Sequence, residues 1–243
     1  MDVPRRLVVI RHAQSAGNVA RDLALERGSP TIDIDIRDCD VPLSDLGERQ
    51  AAALGRWWKA HEKEPKAVFS SPYVRAQQTA EIALAAAGWK RAPVVLDERL
   101  REKDQGALDR LTRAGIEARF PDEVTARARL GKFYYRPPGG ESWTDVIQRV
   151  RAVYADIARD QHDRRVLVVA HQVIVLCLRY VVERLSEEAI LAIDRAGEVA
   201  NCGVTTYRRE GDALVLDSYN AVAPVEEAGE AVTRSPDVQL GPR

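Results

Sequence analysis

The chain has 243 residues, 45% hydrophobic and 30% charged, and its 36 Lys plus Arg against 37 Asp plus Glu give a formal net charge of −1. This composition excludes disordered, collagenous and coiled-coil classes and suits one α/β domain or two small ones, with ample chain to bury a core. The charge balance argues against a nucleic-acid binder, which needs a basic face, and no apolar run reaches the roughly 18–20 residues of a membrane span.

The start, Met1-Asp2-Val3-Pro4-Arg5-Arg6, leads into an apolar run too short for a signal-peptide core. Arg6 to Ile10 reads as a strand that stops at Arg11-His12. A polar stretch from Gln14 to Asp40 follows, with a helix over about Asn18–Arg27. Ser44 caps a helix that runs to about His61. Ala67–Ser70 is a second strand, ending at Ser70-Ser71-Pro72. Tyr73–Ala87 is helical and closed by Gly88. Pro93–Leu96 is a third strand. Asp97–Gly140 reads as irregular and Arg-rich, with one helix over Thr112–Phe120 and a break at Pro137-Pro138-Gly139-Gly140. Ser142 caps a long helix to about Asp160. Arg165–Ala170 is the most apolar strand and ends at His171. Helices follow over about Val173–Arg184 and from Ser186. Cys202–Arg208 and Ala213–Tyr219 alternate as a β-hairpin. From Ala221 onward Pro, Glu, Gly and Ala dominate, so 221–243 is expected to be a disordered tail. Cys39, Cys177 and Cys202 are scattered, with no CxxC pair, and match neither a disulfide framework nor a zinc site. A reducing, cytoplasmic location is the expectation.

Strands alternating with helices predict an α/β fold: a three-layer α/β/α sandwich with a mostly parallel sheet and one antiparallel edge strand. Residues 1–220 form one domain, with a helical and loop cap inserted at about 97–140 over the site. In such sheets ligands sit outside the carboxyl ends of the strands. Arg11-His12, Ser70-Ser71-Pro72 with Arg75 beyond it, and His171 all fall at those ends.

The chain has four histidines, and His61 and His162 lie in charged helix ends or loops. One histidine after a strand is most often structural. Two at equivalent strand ends, with Arg11 beside one of them, point to a site. Arg11, Arg75, His12 and His171 together make a cationic pocket. Arginine binds phosphate oxygens through a planar fork and keeps its charge. A neutral imidazole offers a nucleophilic nitrogen near neutral pH.

Arg11-His12-Ala13-Gln14-Ser15-Ala16-Gly17-Asn18 resembles the RHGxSxxN signature of the histidine phosphatase (phosphoglycerate mutase-like) superfamily. Ser70-Ser71-Pro72-Tyr73-Val74-Arg75-Ala76-Gln77-Gln78-Thr79-Ala80 resembles its SSPxxRAxQTA segment. Leu100-Arg101-Glu102-Lys103-Asp104-Gln105-Gly106 resembles its L-x-E-x-x-x-G segment, and Val168-Val169-Ala170-His171 its second-histidine strand. The resemblance implies attack on phosphorus by His12, giving a phosphohistidine. Arg11, Arg75 and His171 would hold the equatorial oxygens, and Ser15 and Asn18 would add hydrogen bonds. Glu102 would be the acid and then the base, with Asp104 as its rival. No metal or cofactor is expected.

Two positions depart from the pattern. Ala13 replaces a glycine, which would strain the chain if φ were positive there. Gln172 replaces the glycine after the second histidine. Gln172, Lys132, Arg136-Pro137 and Gly140-Glu141-Ser142 resemble the fructose-2,6-bisphosphatase domain branch, in which Lys132 matches a substrate-phosphate contact. Leu176, Trp143 and Arg113 do not match that branch, whereas small stand-alone phosphatases share the overall pattern. Lys132 and Arg113 are the cap residues expected to reach a second anionic group, and Gln172 is expected at the substrate.

The expected activity is hydrolysis of a small phosphorylated metabolite. A phosphoglycerate mutase is the first alternative, because it shares the chemistry and differs in excluding water. A non-catalytic phospho-ligand module on the same fold is the second. No nucleic acid and no membrane are expected as partners. A homodimer through the sheet edge or exposed helices is compatible with the pattern.

Overall fold

In the computed structural model, residues 3–91 and 93–235 are described. Six strands form a single sheet: β1 (Arg6–Arg11), β2 (Ala67–Ser70), β3 (Val94–Leu96), β4 (Arg165–Ala170), β5 (Val204–Glu210) and β6 (Ala213–Ala221). Their order is β3-β2-β4-β1-β5-β6. β1, β2, β3 and β4 are parallel, whereas β5 pairs antiparallel with β1 and with β6. The reversed strand is therefore β5, one place in from the rim, and β6 forms the edge.

The helices are α1 (Ala16–Glu26), α2 (Asp45–His61), α3 (Val74–Ala87), α4 (Arg113–Arg119), α5 (Pro121–Tyr134), α6 (Trp143–Asp160), α7 (Gln172–Val182), α8 (Glu187–Ala196) and the short α9 (Ala223–Glu226). Ser44, Ser142 and Ser186 each cap a helix by accepting a backbone N–H with the side chain. Gly88 ends α3 in the left-handed conformation. No helix of the described residues is long and apolar enough to cross a membrane.

Alternation along the central strands makes the layers. Leu7 and Val9 of β1, with Val166 and Val168 of β4, face one core that contains Val146, Val150 and Val153 of α6 and Ile174 of α7. Ile10, Leu167 and Val169 face the opposite core, with Leu54 and Trp58 of α2 and Ala76, Ala80 and Ala83 of α3. Period-two strands buried on both faces read as continuous apolar runs, and β4 is one.

The 97–140 segment is more helical than its sequence suggests. α5 was not expected because Asp122, Glu123, Arg127, Arg129 and Lys132 surround it, so no apolar stripe marks it; Phe133 is its buried residue. Gly131, at φ 78°, breaks the helical path. A satellite core of Leu108, Leu111, Ile116 and Tyr135 holds the segment together.

The expectation of a disordered tail from 221 fails for residues 221–235. β6 extends to Ala221, and α9 follows. Val225 is fully buried in the core beside α2, and Ser235 is buried as well. Composition gave no warning, because the docking rests on a few spaced residues rather than a periodic stripe. Residues 236–243 lie outside the described residues.

Candidate active site

Sheet register brings the chemistry together. Arg11 pairs with Ala170 and Ser70 with Val169, so β1, β4 and β2 end at one level. The next backbone groups continue the ladder: His12 N–H donates to the Ala170 carbonyl at 2.9 Å and Ser71 N–H to Val169 at 3.0 Å. α1, α3 and α7 all begin at this edge, so their partly positive N-termini face the same place.

A cavity of about 320 Å3 opens there, lined by Arg11, His12, Arg75, Glu102 and Gln172, with Ser15 and Asn18 on its α1 side. The His12 and His171 rings lie 5.1 Å apart at 63°. His12 Nδ1 sits 2.7 Å from the Ala13 carbonyl oxygen. An acceptor there requires Nδ1 to carry the proton, which leaves Nε2 with an unprotonated lone pair. Burial and the charges of Arg75 and Arg11 hold the His12 pKa well below its ordinary value. Burial first, then Arg75, His12 and Arg11, does the same for His171. Both imidazoles are therefore neutral at neutral pH.

Ser71 was quoted within a motif but not expected as a site residue, and it orients the second histidine. Its Oγ accepts from Tyr73 N–H at 3.3 Å and lies 2.8 Å from His171 Nε2. His171 Nδ1 and Arg11 Nε are buried and have no acceptor among the described residues.

The two arginines are held differently. Arg11 donates to the Val199 carbonyl, to Gln172 Oε1 at 2.9 Å and to the Ser235 carbonyl at 3.2 Å. Burial lowers its pKa to about 10, so it stays cationic. Arg75 meets the Asp38 carboxylate at 3.0 and 3.2 Å, donates to the Asp38 carbonyl and lies 4.9 Å from the Tyr73 ring centroid. Asp38 and Ser235 carry no local motif, so nothing in the sequence marked them.

Several expected residues are placed as supports. Gln172 bridges Arg11 and Glu198 through its amide. Ser15 and Asn18 form the capping box of α1, and Asn18 Oδ1 also accepts from Asn201. Ala13 is not among the non-glycine residues with positive φ, so its methyl group is unstrained. Its N–H donates to Thr79 Oγ1 at 3.0 Å.

Glu102 is half-buried on the cavity wall and accepts from Lys103 N–H at 2.8 Å. Its loop is clamped from behind. Arg149 donates to the carbonyls of Arg99, Arg101 and Glu102 and pairs with both oxygens of Glu141 at 2.9 Å. Glu141 in turn accepts from Asp104 N–H and from Arg101. Gly106 lets the loop turn: φ is 54°, and a Cβ would collide with the Pro138 carbonyl.

Lys132 is a correction. It was expected at a substrate phosphate, but its Nζ pairs with Asp194 at 2.7 Å beside the Trp143 ring, and it does not line the cavity. Arg113 pairs with Glu117 at 2.6 Å and is likewise outside it. Among the described residues no group of three His, Cys, Asp or Glu side chains is disposed to hold a metal ion.

Residues 7–222 match the family model described as "Histidine phosphatase superfamily (branch 1)". The chain is 32% identical over 188 residues to the 2,3-bisphosphoglycerate-dependent phosphoglycerate mutase of Methylobacterium radiotolerans, covering 76% of this chain and 82% of that one. It is 33% identical over 190 residues to the 6-phosphofructo-2-kinase/fructose-2,6-bisphosphatase of Caenorhabditis elegans, covering 76% of this chain but only 36% of that protein. The solved mycobacterial glucosyl-3-phosphoglycerate phosphatase superposes with a TM-score of 0.69 at 30% identity, over 89% of this chain and 99% of that one. With the strand-end histidines and arginines in this arrangement, the chain belongs to the histidine phosphatase superfamily, branch 1.

Proposed function

We propose that the protein hydrolyses a small phosphomonoester through a phosphohistidine at His12. The observation that carries this reading is the neutral His12 ring, tied at Nδ1 to the Ala13 carbonyl and flanked by two arginines. Nε2 attacks phosphorus as the ester P–O bond breaks, and Glu102 gives its proton to the departing oxygen. Water then attacks the phosphoenzyme. Glu102 takes the proton from that water, the P–N bond breaks, and phosphate leaves. Arg11 and Arg75 on the cavity wall, with His171 behind His12, would answer the charge that grows on the equatorial oxygens. Arg75 reaches those oxygens once they compete with Asp38 for its guanidinium. No step in this sequence calls on a metal.

A mutase is the second reading, favoured by the similarity to the phosphoglycerate mutase. Water access favours hydrolysis, since Asp38 and Asp109 on the cavity wall keep 49% and 52% of their side chains exposed. The test is phosphate release from phenyl phosphate and 3-phosphoglycerate, with His12→Ala as the blank. Release by the wild type alone supports the hydrolase. No release, with interconversion of phosphoglycerates primed by 2,3-bisphosphoglycerate, supports the mutase.

A further inference from the structure

The cavity continues past His12 and Arg75 to a wall that the chemistry at phosphorus does not use. Thr31-Ile32-Asp33-Ile34-Asp35-Ile36 supplies it, with Thr31 bridged to Leu111 of the cap. Every second residue, Ile32, Ile34 and Ile36, lines the cavity, and Val41 extends the same surface. Asp33 and Asp35 are exposed and not part of the lining. Ile36 leaves 42% of its surface in solvent at the mouth. An isoleucine so placed contributes little to the core, and it offers apolar surface to whatever enters.

The charges on the same walls nearly cancel beyond the phosphate end. Arg21, Lys103 and Arg110 stand there beside Asp104 and Asp109, with the half-exposed Asp38 carboxylate, which also meets Arg75, at their edge. Arg110 is already committed, donating to the Ile36 carbonyl at 2.9 Å and lying 3.7 Å from Asp109. Lys132 and Arg113, the cap cations outside the cavity, are held by Asp194 and Glu117. A second acidic group on a substrate would meet carboxylates as readily as cations, and like charges at short range disfavour binding.

We propose that the site selects phosphomonoesters whose alcohol half is uncharged and apolar, against the Ile32–Ile34–Ile36 wall, and discriminates against esters bearing a second phosphate or a carboxylate. This selectivity rests on the hydrolase reading.

The test is kcat/KM for a series of n-alkyl phosphates from ethyl to octyl, and for the matched pair hexyl phosphate and 5-carboxypentyl phosphate. His12→Ala is the blank. Each methylene laid on the wall is expected to raise kcat/KM by about fourfold until the wall is covered. Hexyl phosphate should exceed its carboxylated partner by about tenfold or more. Ile36→Lys, at an exposed position that tolerates the change, should narrow that gap. A flat alkyl series, or a carboxylated ester turned over as fast as hexyl phosphate, overturns the selectivity. The hydrolase reading would then stand, because turnover would still vanish in His12→Ala. Failure to hydrolyse any ester, phenyl phosphate included, overturns both.

Discussion

Two imidazoles sit at 4% and 0% exposure with their pKa values pushed well below the ordinary 6.5 by burial and by Arg75. The unfolded chain protonates both histidines as pH falls through about 6.5, whereas the folded protein does not. Protons therefore bind preferentially to the unfolded state, and stability falls with pH. The loss is at most about 1.4 kcal/mol per histidine per pH unit below 6.5, and it is absent above that value. Urea unfolding at pH 7.5 and 5.5 reads it; equal midpoints would mean that the rings are solvated in solution. The same depression keeps His12 nucleophilic below pH 6.5, so the acid limb of kcat/KM should lie lower than that of an ordinary histidine. Ser71→Ala removes the hydroxyl that holds the His171 ring through Nε2. It should lower kcat by up to about a hundredfold with KM little changed, if the displaced imidazole acts on charge that develops only in the transition state. A change confined to KM would assign Ser71 to substrate binding instead. At this scale the sequence was most legible. His12, His171, Arg11 and Arg75 announce themselves because each sits at the end of a recognisable strand or first helical turn. Asp38 carries no such local signal, since its contact with Arg75 spans 37 positions and depends on how the 31–41 segment folds over.

The loop that carries Glu102 is clamped from behind by the Arg149–Glu141 ion pair. Arg149 of α6 and Glu141, just before that helix, are 10% and 13% exposed. Arg149→Met leaves Glu141 with less than its full complement of donors and frees three carbonyls of the 99–102 loop. The expected cost is about 3–5 kcal/mol of stability. Activity should fall more on alkyl than on aryl phosphates, since aryl leaving groups need little protonation. The double variant Arg149→Met with Glu141→Gln should recover only part of the stability, since the three loop carbonyls still lack Arg149, and none of the alkyl activity. Equal losses on both ester types would place the clamp outside the acid's function. Gly140-Glu141-Ser142 was visible as a motif, and Ser142 as a cap, but the role of Glu141 was not. That role depends on α6 lying against the loop, a packing relation that no local spacing encodes. Helix starts were legible wherever a serine caps them. α5 was not, because its amphipathic signal is weak and its stability comes from the small core under the cap.

Across the whole molecule, the segment after β6 closes the site. Gln50 of α2 donates to the Ala231 carbonyl at 2.8 Å, Thr233 donates to Asn201 at 3.0 Å, and the Ser235 carbonyl accepts from Arg11, 224 positions earlier. Deleting residues from 222 onward should lower the melting temperature, since burying Val225 alone contributes about 1.5–3 kcal/mol. It should also reduce kcat/KM, because Arg11 loses one of its acceptors. A truncated protein with wild-type turnover would show that the remaining contacts of Arg11 suffice. The sandwich was foreseeable from alternating strands and helices; this return of the chain was not, because long-range docking leaves little trace in composition. It also bears on the order of events during synthesis. When β1 to β6 have left the ribosome, both histidines and both arginines can already assemble. The Ser235 carbonyl, one of three acceptors of Arg11 among the described residues, emerges 14 residues later than Ala221, about one to three seconds at ordinary elongation rates. A chain that stalls just beyond the hairpin would therefore carry an assembled pocket in which Arg11 lacks its Ser235 contact.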